Sequence, residues 1–195
     1  GCGKEDDACG EDGREFFGKG AQLKPVCQLL EEEGKLADAQ GYEEHEGGKH
    51  GHEVSSLGLE IPCLASGCGL KFKEDYDRNI SEITQYIVLA KKLGTPYIRV
   101  LGDLHPQPEG EVDDEFVVST LKLLGTIAQG FGVCLLVETN GVYADTKRLR
   151  ALLDKVGMPS VAALWDMHHP YRYAGESARQ TVENLGSYIK YVHVK

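Results

Sequence analysis

Positive charge is scarce in this 195-residue chain: 21 lysines and arginines stand against 31 aspartates and glutamates, a formal net charge of -10. A surface of that sign repels phosphate backbones and argues against a nucleic-acid partner. Long apolar runs are missing too. No stretch approaches the roughly 20 apolar residues of a membrane span, and no charged start leads into an apolar signal core. The expectation is a soluble, cytoplasmic chain without membrane partners. No Walker A sequence occurs, and no GxGxxG follows a strand, so nothing favours a nucleotide fold. The six cysteines, Cys2, Cys9, Cys27, Cys63, Cys68 and Cys134, include no CxxC pair. A chain long enough to bury its own core does not need a disulfide framework.

The sequence does contain an alternation of short apolar runs with helical patterns. Residues 1–20 are rich in glycine and acidic residues, lack any apolar period and read as irregular or disordered, which leaves 21–195 as one domain. A weak helical pattern over 21–39 is interrupted by Gly34, and 41–46 is a poor strand. The stretch GGKHGH (47–52) reads as a flexible loop, with a metal-binding loop on His50 and His52 as the alternative.

Further on, strands are expected at 59–65, 97–100, 133–137, 161–165 and 191–195, and helices at 74–93, 114–129, 145–156 and 177–188. Gly94, Gly130 and Gly157 supply helix stops, and Ser177 with Gln180 forms a capping box. The Pro- and Gly-rich loop 104–112 is placed to act as a lid. Strand and helix in alternation call for a parallel sheet with crossover helices, either a (β/α)8 TIM barrel or an open α/β sheet. The last run ends on a strand with no closing helix, so a barrel would be incomplete at the carboxyl end and irregular at the amino end.

Three apolar runs end on residues able to bind a metal: Glu138, Asp166 and His193. In a parallel sheet the carboxyl ends of neighbouring strands share one face, so the three can converge on one ion. Oxygen, oxygen and nitrogen donors suit Mn, Mg or Co, with Zn admissible, and three ligands leave positions open for substrate or water. Each residue alone has an ordinary explanation: a capping carboxylate, a turn residue, a core imidazole. Their recurrence at three successive strand ends is what favours the metal. Of His168 and His169, one should face the site, and His169 is the choice. Tyr171, Arg172 and Tyr173 belong to a pocket wall or to a solvated loop. Arg99, if inward, needs a partner, Glu138 or Asp103.

The runs AKKLGTPYIRVLGD (90–103), VCLLVETN (133–140), LWDMHHPYR (164–172) and YIKYVHVK (188–195), in that order, resemble the sugar phosphate isomerase/epimerase family of xylose isomerase-like TIM barrels. The resemblance covers 59–195; no amino-terminal strand of the family is recognisable in 1–20. It implies a divalent metal held by Glu138, Asp166, His193 and a further glutamate that would fall beyond Lys195. It also implies that His169 binds a sugar substrate, with Arg172 assigned to the same substrate pocket. The chemistry implied is proton transfer next to a carbonyl, with Glu138 as both ligand and acid/base in an isomerase or epimerase. The alternatives are an apurinic endonuclease-like phosphodiesterase, which would need more histidines, and a non-catalytic barrel fragment that binds a sugar or a partner. Open sheet edges would favour a homo-oligomer.

Overall fold

A computed structural model describes residues 45–194, all within the unit Glu43–Lys195. The expectations for 1–20, 21–39 and 41–44 lie outside the described residues. Five strands stand in one sheet in chain order, every pair parallel: β1 (Cys63–Gly69), β2 (Tyr97–Leu101), β3 (Cys134–Glu138), β4 (Val161–Asp166) and β5 (Ile189–His193). The order never reverses, as it does in doubly wound sheets, so these strands form part of a barrel wall.

Helix α1 (His45–Ser56) precedes the sheet, and α2 (Tyr76–Leu93), α3 (Asp114–Phe131) and α4 (Thr146–Val156) make the first three crossovers. The fourth crossover holds two helices, α5 (His168–Ala174) and α6 (Ala178–Leu185).

The crossover helices form where apolar residues recur at helical spacing. On α3, Val117, Leu121, Leu124 and Ala128 are fully buried, and Asp113 caps its start by accepting the Phe116 amide. Gly125 lets α3 lie close on the sheet, where a Cβ would meet Val161. Asp145 caps α4 through the amides of Lys147 and Arg148, and the Ser177–Gln180 capping box opens α6.

Several elements depart from the sequence reading. Residues 47–52 are helical, within α1, and His45 and Glu46 already belong to it rather than to a strand. Glycine weakens helices, and α1 is held instead by packing, with Gly51 against Leu93, and by its carboxyl end. There Gly58 takes a left-handed φ of 71° and the Leu59 amide reaches the Val54 carbonyl. Strand β1 starts after Pro62 and runs to Gly69, four residues beyond the expected end, because Ser66, Gly67 and Gly69 carry too little apolar character to register in a hydropathy count. The stop of α3 is Gly132 at φ 71°, not Gly130, which stays helical. The last strand ends at His193.

Among the described residues, the thiols of Cys63, Cys68 and Cys134 are held in their protonated form by burial. Burial pushes Cys68 up to about 12 and Cys134 up to about 11, and raises Cys63 as well. An ordinary thiol near 9 carries roughly 100 times more thiolate at pH 8 than one near 11. Iodoacetamide labelling followed by peptide mass spectrometry should therefore show Cys134 reacting about 100-fold more slowly than a free thiol, and Cys68 more slowly still. Both rates should keep climbing above pH 9. A plateau near pH 9 would mean that burial does not control these groups.

Candidate metal centre

The carboxyl ends of β3 and β4 carry the donors. Apart from half-buried Cys134 at the start of β3, each apolar strand is buried along its length and ends on a carboxylate: Glu138 is 4% exposed and Asp166 0%. Thr139 locks the two ends together. Its hydroxyl accepts the Asp166 amide at 2.9 Å and donates to the Asp166 carbonyl at 3.2 Å, and its amide reaches the Leu164 carbonyl.

The chain then turns straight into α5, whose first amide, that of His168, donates to Asp166 Oδ1 at 3.0 Å. This turn leaves His168 exposed and buries His169 at 4%. The ring of His169 is oriented by the Thr139 carbonyl, 3.0 Å from Nδ1. A carbonyl can only accept, so Nδ1 carries the proton and Nε2 faces Asp166 Oδ2 at 3.5 Å. That is how a ligating histidine is commonly prepared, one nitrogen tied to the protein and the other offered to the ion.

Glu138, Asp166 and His169 thus form a group whose donor atoms lie within 4.8 Å of one another. Carboxylate oxygens and an imidazole nitrogen so close together are donors of the kind that divalent cations take. The donor set therefore fits a divalent ion.

The residues singled out by sequence occupy distinct places. His193 pairs in register with Asp166 at the neighbouring strand end, and its Nδ1 lies 3.4 Å from Glu138 Oε1. It is half-buried beside the cluster, with the Tyr191 ring edge-on to it. Arg172 is exposed on α5, three residues after His169 and so on a neighbouring helical position. The pairing of Arg99 is with Glu138, 3.4 Å from Oε2. The stretch expected as pocket wall or loop, Tyr171 to Tyr173, is helical within α5.

Thr139 was missed as a supporting residue. A polar residue directly after a buried strand was the only signal of it. Asp103 is also more central than its turn position suggested. Fully buried, it pairs with Lys71 at 2.5 Å and accepts the amides of Leu104 and Val142.

The loop expected as a lid is tethered. The Lys71 amine donates to the Glu109 carbonyl, Lys73 pairs with Asp113, the Asn140 amide donates to the Leu104 carbonyl, and the Gly141 amide meets the Pro106 carbonyl. An open cavity of about 790 Å³ lies apart from the cluster, with Asp145, Arg148, Tyr173 and Glu176 among its walls and none of the three donor residues.

The profile of the xylose isomerase-like TIM barrel matches residues 38–195. No curated protein matches the chain in sequence. Among solved structures, a xylose isomerase domain protein from Planctomyces limnophilus is 17% identical, with a TM-score of 0.66 over 77% of this chain and 59% of its own. A xylose isomerase-like TIM barrel protein from Mycobacterium smegmatis, in complex with magnesium, is 17% identical with a TM-score of 0.60, over 73% and 53%. D-allulose 3-epimerase from Methylomonas sp., in complex with D-allulose, is 15% identical with a TM-score of 0.64, over 76% and 56%. The chain spans between half and two thirds of each of these proteins, and at such identities the likeness is one of fold. The profile match extends over most of the chain, across all five strands and the ends that carry Glu138 and Asp166: this chain belongs to the xylose isomerase-like TIM-barrel family.

Proposed function

We propose that this protein is a divalent-metal-dependent sugar or polyol isomerase or epimerase that works by proton transfer next to a carbonyl. One observation carries the reading: Glu138, Asp166 and His169 bring two carboxylates and an imidazole within 4.8 Å at the carboxyl ends of adjacent strands. The family and its neighbours support it, since an epimerase holding its sugar and a protein holding magnesium share the fold.

Glu138 and Asp166 would hold the ion with His193, beside Glu138, as the third donor, while His169, whose Nε2 faces the same cluster, would meet the substrate next to it. When bound, a divalent ion supplies Lewis acidity, polarising a substrate carbonyl and acidifying the adjacent C–H. Glu138 would move that proton, a reading supported by its buried carboxylate at the end of β3 within the donor cluster. Asp166 adds negative charge that keeps a cation in the site. Thr139 keeps His169 in the tautomer that can donate a lone pair from Nε2 or, when protonated, a hydrogen bond to a sugar oxygen. His169 and Arg172 are the substrate contacts in this reading, and Mn, Mg or Co is the favoured ion. A cytoplasmic location and self-association belong to the same proposal.

The test is solvent-proton exchange. Incubated with Mn2+ and a panel of ketoses in D2O, the protein should place deuterium next to the carbonyl of one of them, as followed by NMR. Glu138→Gln should slow that exchange by roughly 100-fold or more, the usual size of a lost general acid or base. Sugar binding with no exchange in any member of the panel would reduce the protein to a binding module. Exchange unaffected by Glu138→Gln would put the proton transfer elsewhere.

A further inference from the structure

We infer that Arg99 is a positioning residue for Glu138, anchored by a break in the β1 ladder; this rests on Glu138 being the ligand and base of the proposed reaction. Arg99 stands on β2 opposite Leu136, and Glu138 lies two residues further along β3 on the same face. That diagonal is within reach of a long side chain. The guanidinium divides its two ends. Nη1 approaches Glu138 Oε2 at 3.4 Å, while Nη2 donates to the Ser66 carbonyl at 2.8 Å.

The Ser66 carbonyl lies where β1 shifts register against β2, between Ala65 and Gly69, so that a side chain takes the place of a regular ladder bond. Ser66 returns the contact through its own hydroxyl, which donates to the Arg99 carbonyl at 2.8 Å, and it is fully buried. Backbone and guanidinium of Arg99 are thereby fixed by one residue.

Two details separate this from an ordinary ion pair. The buried Nε of Arg99 has no hydrogen-bond partner among the described residues, so the fork is set to serve its two ends rather than to satisfy every donor. His193 Nδ1 stands 3.4 Å from the other Glu138 oxygen, Oε1, so the carboxylate is approached at both oxygens and its plane is set. A lysine cannot do the same work, because a single ammonium has no rigid fork to span Ser66 and Glu138.

The test has two arms. In the first, Mn2+ is titrated calorimetrically into the wild type, Arg99→Met and Arg99→Lys. Loss of the positioning contact should weaken Mn2+ binding by roughly 10- to 100-fold in Arg99→Met, as for other groups that orient a ligand, and Arg99→Lys should restore it only partly. In the second, urea midpoints are measured in EDTA for Arg99→Met, Glu138→Gln and the double variant. The double variant should be no less stable than Arg99→Met alone, because the two residues share one interaction. Should Arg99→Met not fold, Arg99→Lys takes its place in both arms.

Unchanged Mn2+ affinity, or strictly additive midpoints, would overturn the inference. If the wild type itself binds no Mn2+, the metal reading fails separately, and the midpoints in EDTA still decide whether Arg99 holds Glu138.

Discussion

Asp166→Asn is expected to strip the protein of its divalent ion while leaving the fold intact. Elemental mass spectrometry should find about one Mn2+ or Mg2+ per wild-type chain and next to none in the variant. Affinity should fall by more than the roughly 10- to 100-fold typical of groups that merely orient a ligand, because a charged donor is lost outright. Fold retention follows from the contacts. Asparagine keeps an oxygen where Asp166 Oδ1 accepts the His168 amide, and the clamp from Thr139 uses only the backbone of residue 166. In EDTA the variant should be as stable as the wild type or more so, since one of two buried carboxylates within 4.8 Å has lost its charge. Metal retained by Asp166→Asn would move the ion away from β4. Metal lost together with the fold would make Asp166 a structural residue first.

The parts of this site that were legible in sequence are those that rest on periodicity. β3 and β4 are apolar along their length because both faces of a parallel sheet are covered, so their ends could be placed to within one residue, with Glu138 and Asp166 at the ends of the apolar runs. The diagonal from Arg99 to Glu138 was among the options that an inward arginine leaves open. What escaped is held by local contacts rather than by a buried stripe. The stretch HHPYRYA has no apolar helical period, and it becomes α5 because Asp166 accepts its first amide and Gly175 closes it at φ 66°. That helix carries His169 into the cluster, so the most buried imidazole of the site depended on the element least visible in sequence. β1 was displaced for a related reason. Its second half is built of small residues against which side chains pack, Arg99 bonding the Ser66 carbonyl, Asn79 bonding the Gly69 carbonyl and Leu104 lying against Gly69.

Gly141→Ala should be among the most destabilising single-methyl changes in the described chain. Gly141 sits at φ 55°, and an added Cβ would overlap the Asp103 carboxylate. That carboxylate has nowhere to retreat: it is fully buried and pinned by Lys71 at 2.5 Å, the Leu104 amide at 2.7 Å and the Val142 amide at 3.0 Å. The left-handed backbone and the overlap together should cost roughly 2–5 kcal/mol. Gly132→Ala separates the two effects, since Gly132 has φ 71° and open space around it, so only the backbone cost of roughly 1–2 kcal/mol applies. Urea denaturation of both variants measures the difference. Equal losses would mean that Asp103 can move and that its contacts with Lys71 and the two amides are slack. A larger loss at Gly141 would make Asp103 the point where the loops after β1, β2 and β3 are tied together. In that case Gly141→Ala should also weaken Mn2+ binding without touching a ligand, because Glu138 and Thr139 lie just upstream of the displaced turn.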